Sequence, residues 1–254
     1  MDTRSLKELE LLEVAGLYGL STAAPASPAV APASAAPPAA RVSQSPAPVS
    51  APAAVPTSAP AAASVPRVIP ADWNALQAAV RECTACGLCR QRKQTVFGVG
   101  NEAAPWLFVG EGPGAEEDEQ GEPFVGQAGK LLDNMLGALG LARGREVYIA
   151  NVVKCRPPGN RTPTPEEAAA CAPFLDAQID HIKPRLIVAL GKTAASRLLN
   201  TESSLASLRG RVHAYRGTPL IVTYHPAYLL RTLPDKSKAW EDLLFARRHL
   251  AKVA

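Results

Sequence analysis

The amino-acid sequence predicts a three-layer α/β/α sandwich built on a four-stranded parallel sheet. Two observations lead to this fold class. Four short, continuous apolar runs are bounded by polar or glycine-rich segments, as expected of strands that are buried on both faces of a sheet. Longer segments with helical spacing of apolar residues lie between or after these runs. This alternation is typical of parallel sheets whose crossover helices cover both faces.

The predicted elements all lie within residues 71–254, which we expect to form one domain with a core of its own. The predicted strands are 106–110, 147–153, 186–190 and 220–224. The predicted helices are 127–139, 165–181, 193–199 and 237–250. No apolar run approaches the length that a membrane span requires, so we expect none.

The residues before this domain differ from it in composition. Residues 21–70 consist mostly of Ala, Pro, Ser and Val without an apolar period, which predicts a disordered tether. Residues 1–20 carry leucines near helical spacing and predict a short amphipathic helix. Two interpretations of this helix stay open: it docks onto a protein partner, or it frays because so short a helix is barely stable alone.

The chain is mildly basic, with a formal net charge of +4 and an isoelectric point near 8.9. This charge permits nucleic-acid binding without requiring it. Many of the basic residues lie on connecting loops, but each one taken singly is more typical of a solvated surface. They are Lys154, Arg156, Arg161, Arg209, Arg211, Arg231, Lys236 and Lys238. The first residues are charged and lack the apolar region of a secretory signal, so we expect a cytoplasmic protein. We also expect the protein to act as a monomer.

Four of the five cysteines are spaced like ligands of a metal centre. Cys83 and Cys86 form a Cys-x-x-Cys pair, and Cys155 and Cys171 flank a Pro-rich segment. The odd count and the absence of a signal argue against a disulfide framework. Four thiolates suit either a tetrahedral zinc or a [4Fe-4S] cluster, and their spacing leaves both open, as well as a set of scattered buried thiols.

Polar and glycine residues follow the predicted strands at their carboxyl ends, where parallel α/β sheets bind ligands. A glycine-rich turn begins at Gly110, Asn151 lies near the end of the second strand, and His225 follows the fourth. The turn lacks the spacing of the dinucleotide and P-loop motifs. Asn151 offers an amide that can read the edge of a base, and His225 offers a donor. Phe124 is either a stacking platform or a plug of the core.

Three segments that carry these residues resemble the type 4 uracil-DNA glycosylases, iron–sulfur proteins of the uracil-DNA glycosylase superfamily. Residues 110–129 read GEGPGAEEDEQGEPFVGQAG, residues 151–161 read NVVKCRPPGNR and residues 224–231 read YHPAYLLR. The resemblance covers essentially all of residues 72–254 and none of the N-terminal third. It implies an enzyme that flips uracil out of DNA and hydrolyses its N-glycosidic bond, leaving an abasic site.

The resemblance also implies roles for individual residues. Glu111 and His225 are the implied catalytic residues, with Glu111 acting on the sugar or on the attacking water and His225 donating to uracil O2. Leu229 and Arg231 are implied to contact DNA, with apolar side chains after His225 acting as a wedge, although these leucines also suit the core face of a helix. The implied uracil-binding residues are Gly110, Glu111, Gly112, Glu117, Phe124, Asn151 and His225.

The resemblance assigns Cys83, Cys86, Cys155 and Cys171 as ligands of a [4Fe-4S] cluster. Cys89 has no ligand counterpart and departs from the family pattern, as does the long N-terminal extension. An alternative function is a non-catalytic iron–sulfur or zinc module for nucleic-acid binding or redox chemistry. Another is action on a different deaminated base such as hypoxanthine, for which Gly112 and Gly114 would leave room.

Overall fold

Four parallel strands form the centre of the sheet, as the sequence predicts. The computed structural model describes residues 68–252, so the predicted helix at 1–20 and nearly all of the predicted tether at 21–70 lie outside the described residues. The strands are β1 Val99–Gly100, β2 Trp106–Gly110, β3 Val147–Asn151, β4 Leu186–Leu190, β5 His213–Tyr215 and β6 Thr218–Thr223. Their order in the sheet is β1-β3-β2-β4-β6-β5.

The sheet has two more strands than the sequence predicts. Strands β3, β2, β4 and β6 pair in parallel, whereas β1 and β5 pair antiparallel at the two edges. These edge strands have two and three residues and are only partly buried, so they lack the continuous apolar run that marks the central strands. The prediction of four strands is therefore confirmed for the parallel centre and corrected at its edges.

Helices cover both faces of the sheet and complete the three layers. They are α1 Trp73–Arg81, α2 Ala115–Gln120, α3 Gln127–Ala138, α4 Pro165–Ile182, α5 Gly191–Leu199, α6 Leu205–Leu208, α7 Pro226–Leu229 and α8 Asp235–Lys252. Short 3₁₀ turns occur at Gly87–Arg90 and Pro158–Asn160. The four predicted helices are present with ends within two residues of the prediction. The apolar pattern of the sequence did not predict α1, α2, α6 and α7.

Alternate residues of the central strands pack into two separate apolar cores. In β2, Leu107 and Val109 belong to a core that also contains residues of α1, α4 and α5. Trp106 and Phe108 belong to the other core, formed with α3 and α8. Because each central strand is buried on both faces, its carboxyl end is the place where it can present side chains to solvent. No helix within residues 68–252 has the length and apolarity needed to cross a membrane.

Candidate active site and cysteine cavity

A cleft of about 450 Å³ opens at the carboxyl ends of the parallel strands. It brings together most of the predicted site residues, although they come from three separate segments of the sequence. Those that line it are Glu111, Gly112, Glu117, Phe124, Asn151, His225 and Arg231. Its other lining residues are Pro113, Gly114, Ala128, Pro157, Asn160, Arg161, Ala227 and Tyr228.

Gly110 lies against the side chains of both Asn151 and Phe124 at the end of the cleft. It pairs with Asn151 in the sheet. A Cβ atom at this position would lie 2.4 Å from Asn151 Oδ1 and 2.7 Å from Phe124 Cζ. The site therefore needs a glycine here, because any side chain would displace the amide or the ring.

Gly110→Ala is expected to lower the rate of the uracil excision that the resemblance implies, while leaving the domain folded. The added methyl group would push Asn151 or Phe124 out of place, and displacements near 1 Å can cost about 10²-fold in rate. Gly137→Ala is the matched control, because nothing lies within 4 Å of the added atom in helix α3. The melting temperature and the excision rate of both variants would test this, and a wild-type rate in Gly110→Ala would contradict it.

Asn151 presents a buried acceptor that has no partner among the described residues. Asn151 is only 2 % exposed, and its Oδ1 makes no hydrogen bond to any described residue. Its backbone carbonyl accepts a hydrogen bond from Lys154 Nζ at 2.9 Å, and Lys154 also donates to Gln178 Oε1 at 2.6 Å. An unpaired buried acceptor costs about 1–3 kcal/mol, so this atom favours a ligand that brings an N–H group.

His225 is a neutral imidazole whose N–H donor has no partner within residues 68–252. The Ala227 N–H donates to His225 Nδ1 at 3.1 Å, which leaves the proton on Nε2. Burial, with a contribution from the nearby Arg231 charge, lowers the pKa of His225 to about 4. The ring stacks against Phe124 with 5.5 Å between ring centroids and an interplanar angle of 29°. The two predicted base-binding rings are therefore neighbours.

Gly191 packs against His225, although the sequence pattern did not assign it to the site. It has φ +89°, and a Cβ atom there would lie 2.9 Å from His225 Cβ. A residue other than glycine would therefore combine backbone strain with a clash against the histidine. Its position directly after a buried strand was the available signal.

The two predicted acidic residues differ in their partners. The Glu111 side chain lines the cleft and makes no hydrogen bond to the described residues, so its carboxylate is available to a ligand or water. The Glu117 carboxylate accepts hydrogen bonds from the backbone N–H groups of Gly114, Val125 and Gly126 at 3.0–3.2 Å. Glu117 thus braces the loop around the cleft, and its contact with a ligand stays a prediction.

Two glycines of the turn, Gly112 and Gly114, line the cleft and have no room for a side chain. A Cβ atom at Gly112 would lie 2.7 Å from Val153 Cγ2, and one at Gly114 would lie 2.7 Å from Glu117 Oε2. A side chain at either position would therefore displace Val153 or Glu117. Action on a different deaminated base stays a prediction.

One of the two predicted DNA-contacting residues has to be corrected. Leu229 is only 1 % exposed and packs in the core with α3 and α8, so it cannot reach DNA in this conformation. Its neighbour Leu230 is 43 % exposed and takes its place as the candidate apolar contact. Arg231 is exposed and lines the cleft, as a contact with a phosphate would require.

The Pro-rich loop forms a wall of the cleft that the sequence analysis did not include in the site. Pro157, Asn160 and Arg161 line this wall. Arg161 is fixed by two hydrogen bonds of 2.7 Å to the carboxylate of Glu167, in the first turn of α4. The signal for this wall was present in the basic residues that follow β3, but only the fold shows that the loop turns toward the cleft.

All five cysteines line a second cavity with apolar walls. Cys83, Cys86 and Cys89 come from the segment after α1, Cys155 follows β3, and Cys171 lies in α4. The remaining walls include Val80, Leu88, Val153 and Phe174. The predicted four ligands thus meet in space, and the fifth cysteine lies beside them.

Hydrogen bonds support the sulfur atoms of two of these cysteines. Arg92 Nη1 donates to Cys155 Sγ at 3.1 Å and to the Cys83 carbonyl at 2.7 Å, and the Lys154 N–H donates to Cys171 Sγ at 3.3 Å. Burial raises the pKa of the Cys86 and Cys155 thiols and raises that of Cys171 to about 11. A cation would be needed to hold them as thiolates. The described residues include no group of three or more His, Cys, Asp or Glu side chains placed to hold a metal ion.

Comparisons with known proteins agree on one superfamily. The model of the Uracil DNA glycosylase superfamily matches residues 97–244. The chain is 49 % identical over 177 residues to a type-4 uracil-DNA glycosylase of Thermotoga maritima, covering 68 % of this chain and 92 % of the relative. A type-4 enzyme of Pyrobaculum aerophilum is 44 % identical over 180 residues, covering 68 % and 91 %. One of Archaeoglobus fulgidus is 45 % identical over 167 residues, covering 61 % and 83 %.

Proposed function

This chain belongs to the type-4 family of the uracil-DNA glycosylase superfamily, and we propose that it excises uracil from DNA in the cleft at the carboxyl ends of its strands. It is an enzyme of DNA repair that acts on N-glycosyl bonds. The observation that supports this cleft most directly is the buried, unpaired Oδ1 of Asn151 beside the stacked rings of Phe124 and His225. These groups provide an acceptor, a stacking face and a donor for one flat heterocycle.

Recognition of the base follows from the pairing of hydrogen-bond groups. The target nucleotide leaves the duplex and its base stacks on Phe124. Asn151 Oδ1 accepts from uracil N3–H, and its amide group donates to O4. Cytosine presents an acceptor at N3 and a donor at N4, so both contacts would be mismatched. Each unmatched buried group costs about 1–3 kcal/mol, which is enough to reject cytosine.

Cleavage of the glycosidic bond places negative charge on the departing base, and His225 is positioned to stabilise it. The neutral imidazole donates its Nε2 proton in a hydrogen bond to uracil O2. A preorganised donor of this kind is worth about 2.7–4 kcal/mol in the transition state. Because Phe124 and Gly191 fix the ring from two sides, little reorganisation is needed when the charge develops.

Water is the proposed nucleophile, with Glu111 beside it. The Glu111 carboxylate is available in the cleft to orient the water or to stabilise positive charge on the sugar. Among the described residues that line the cleft there is no lysine, and the Lys154 ammonium is occupied with Asn151 and Gln178. A Schiff-base step therefore has no candidate residue here, and the expected product is an intact abasic site.

We further propose that Cys83, Cys86, Cys155 and Cys171 hold a [4Fe-4S] cluster in the cysteine cavity. Four sulfur donors from three segments, apolar walls and donors from Arg92 and the Lys154 N–H fit such a group. The bound cluster would act as a structural crosslink. It would tie the segment after α1 to the Pro-rich loop and α4, and so fix the wall that carries Asn160 and Arg161.

Cys155→Ser is expected to lose the visible absorbance at about 400 nm together with iron. Its melting temperature should fall by about 10 °C. This corresponds to a loss of about 2.5–5 kcal/mol of stability, because each kcal/mol shifts the melting temperature by about 2–4 °C in a domain of this size. Cys89→Ser is the control, and we expect it to keep the absorbance. A colourless wild-type protein loaded with zinc would contradict the cluster, and an unchanged melting temperature in Cys155→Ser would contradict its structural role.

The function itself is tested with a uracil-containing oligonucleotide, followed by alkali to cleave abasic sites. We expect strand scission with uracil and none with the matched thymine oligonucleotide. Absence of scission on both single- and double-stranded substrates would instead support the non-catalytic module. A protein partner for residues 1–20, a monomeric state and a cytoplasmic location stay predictions.

A further inference from the structure

Phe124 has a backbone conformation that a bulky residue rarely adopts. Its φ is 56°, in the left-handed region. Such a conformation costs free energy for a residue with a Cβ and persists only where neighbouring groups hold it. Phe124 is also only 6 % exposed and lies against His225. The direction of its ring therefore depends on the groups that bind its own backbone.

Arg143 binds the backbone carbonyls on both sides of this residue. Its Nη1 donates to the Pro123 carbonyl at 2.7 Å, and its Nη2 donates to the Phe124 carbonyl at 2.9 Å. The same guanidinium is fixed by Asp133 in helix α3, whose Oδ1 accepts from Nε at 3.1 Å and from Nη2 at 2.9 Å. The backbone of Arg143 is itself anchored by a bridge to Val147, at the start of β3.

Two other residues, Glu117 and Gly129, also contact the backbone around Phe124. Glu117 accepts from the following N–H groups of Val125 and Gly126, as described above. Gly129 allows helix α3 to pass close to the loop, because a Cβ atom there would lie 1.8 Å from the Phe124 carbonyl oxygen. Arg143 thus donates to the carbonyl groups of the loop around Phe124, and Glu117 accepts from its N–H groups.

From this geometry we propose that Arg143 is a positioning residue for uracil excision, which fixes the Phe124 ring at the angle that stacks on the base. Arg143 is not among the residues that line the cleft, and it acts through Phe124. The inference rests on the proposed function only in that the stacked ligand is uracil. Lysine could not replace it, because a single ammonium lacks the planar fork that spans two carbonyls and a carboxylate.

A double-mutant cycle tests this role. Arg143→Gln is expected to lower the single-turnover rate of uracil excision on the order of 10- to 100-fold, because a misdirected ring displaces the base. Inhibition by free uracil should weaken as well. In a Phe124→Ala background the same change should have an effect of less than about twofold, because the ring through which Arg143 acts is gone.

Two further variants separate positioning from stability. Arg145→Gln is the matched control, since the Arg145 side chain is 72 % exposed and pairs with Glu146, and we expect wild-type rates. Arg143→Lys keeps the charge next to Asp133 and should recover at most part of the rate; if Arg143→Gln does not fold, this variant carries the cycle. Melting temperatures are measured for each variant, and rates are compared at a temperature where all are folded.

Different results would overturn different statements. Effects of Arg143→Gln and Phe124→Ala that multiply, or a wild-type rate in Arg143→Lys, would overturn the positioning role while leaving the glycosylase activity intact. A wild-type enzyme that excises no uracil would overturn the proposed function. Uracil inhibition that weakens in Arg143→Gln but not in Arg145→Gln supports the inference.

Discussion

Asn151→Asp is expected to lower the rate of uracil excision by about 10²- to 10³-fold, because two buried contacts change at once. The variant loses the amide donor to uracil O4 and places a second acceptor opposite that oxygen. The residue is 2 % exposed, so water does not screen the repulsion. Single-turnover rates on uracil and cytosine oligonucleotides measure the effect. We expect the ratio of the rate on uracil to the rate on cytosine to decrease.

Asn160→Asp is the matched control for this change. Asn160 lines the same cleft but is exposed, and its Oδ1 accepts from Arg156 Nε at 2.7 Å, a bond that an aspartate keeps. We expect Asn160→Asp to stay within about threefold of the wild-type rate on uracil, because the side chain is exposed and keeps its bond to Arg156. If Asn151→Asp retained the wild-type rate, Asn151 would not be the residue that reads the base.

His225→Ala is expected to lower the excision rate by about 10²- to 10³-fold, which is the usual cost of removing one preorganised donor from the transition state. The loss should appear in the chemical step more than in binding of the DNA, because the negative charge on uracil develops only as the bond breaks. Single-turnover kinetics and a separate binding measurement distinguish the two.

His225→Gln and His181→Ala are the controls for this prediction. Glutamine retains an N–H donor and should recover part of the rate. His181 is exposed, stacks on Trp73 and does not line the cleft, so its loss should leave excision unchanged. A His225→Ala enzyme with a wild-type chemical step would show that leaving-group stabilisation comes from another group.

The lowered pKa of His225 also predicts how stability depends on pH. Its value in the folded protein is about 4 against an ordinary value of 6.5, so the unfolded chain binds the proton first as the pH falls. The contribution to stability is complete above pH 6.5 and is lost progressively between pH 6.5 and pH 4. The Arg231 charge favours the neutral form and the Glu117 charge opposes it. Thermal unfolding across this range should show a smaller fall for His225→Gln than for the wild type.

The sequence predicted the positions of the site residues well where the backbone dictates them. Gly110 and Asn151 are the last residues of two central strands and His225 follows a third, and the carboxyl ends of parallel strands share one edge of the sheet. It failed where the direction of a side chain depends on distant packing. Leu229 was predicted to contact DNA, yet the short helix α7 turns it into the core and leaves Leu230 outside.

By itself, the sequence determined the parallel centre of the sheet, four of its helices and the family to which the chain belongs. Continuous apolar runs and long motifs are local signals, and they carry this information without knowledge of contacts. Only the tertiary structure decided which partner each group has: Asn151 keeps an unpaired oxygen, Glu117 and Arg143 grip opposite sides of the Phe124 loop, and Cys89 joins the other cysteines. These relations depend on hydrogen bonds and packing between segments far apart in the chain, which no local pattern records.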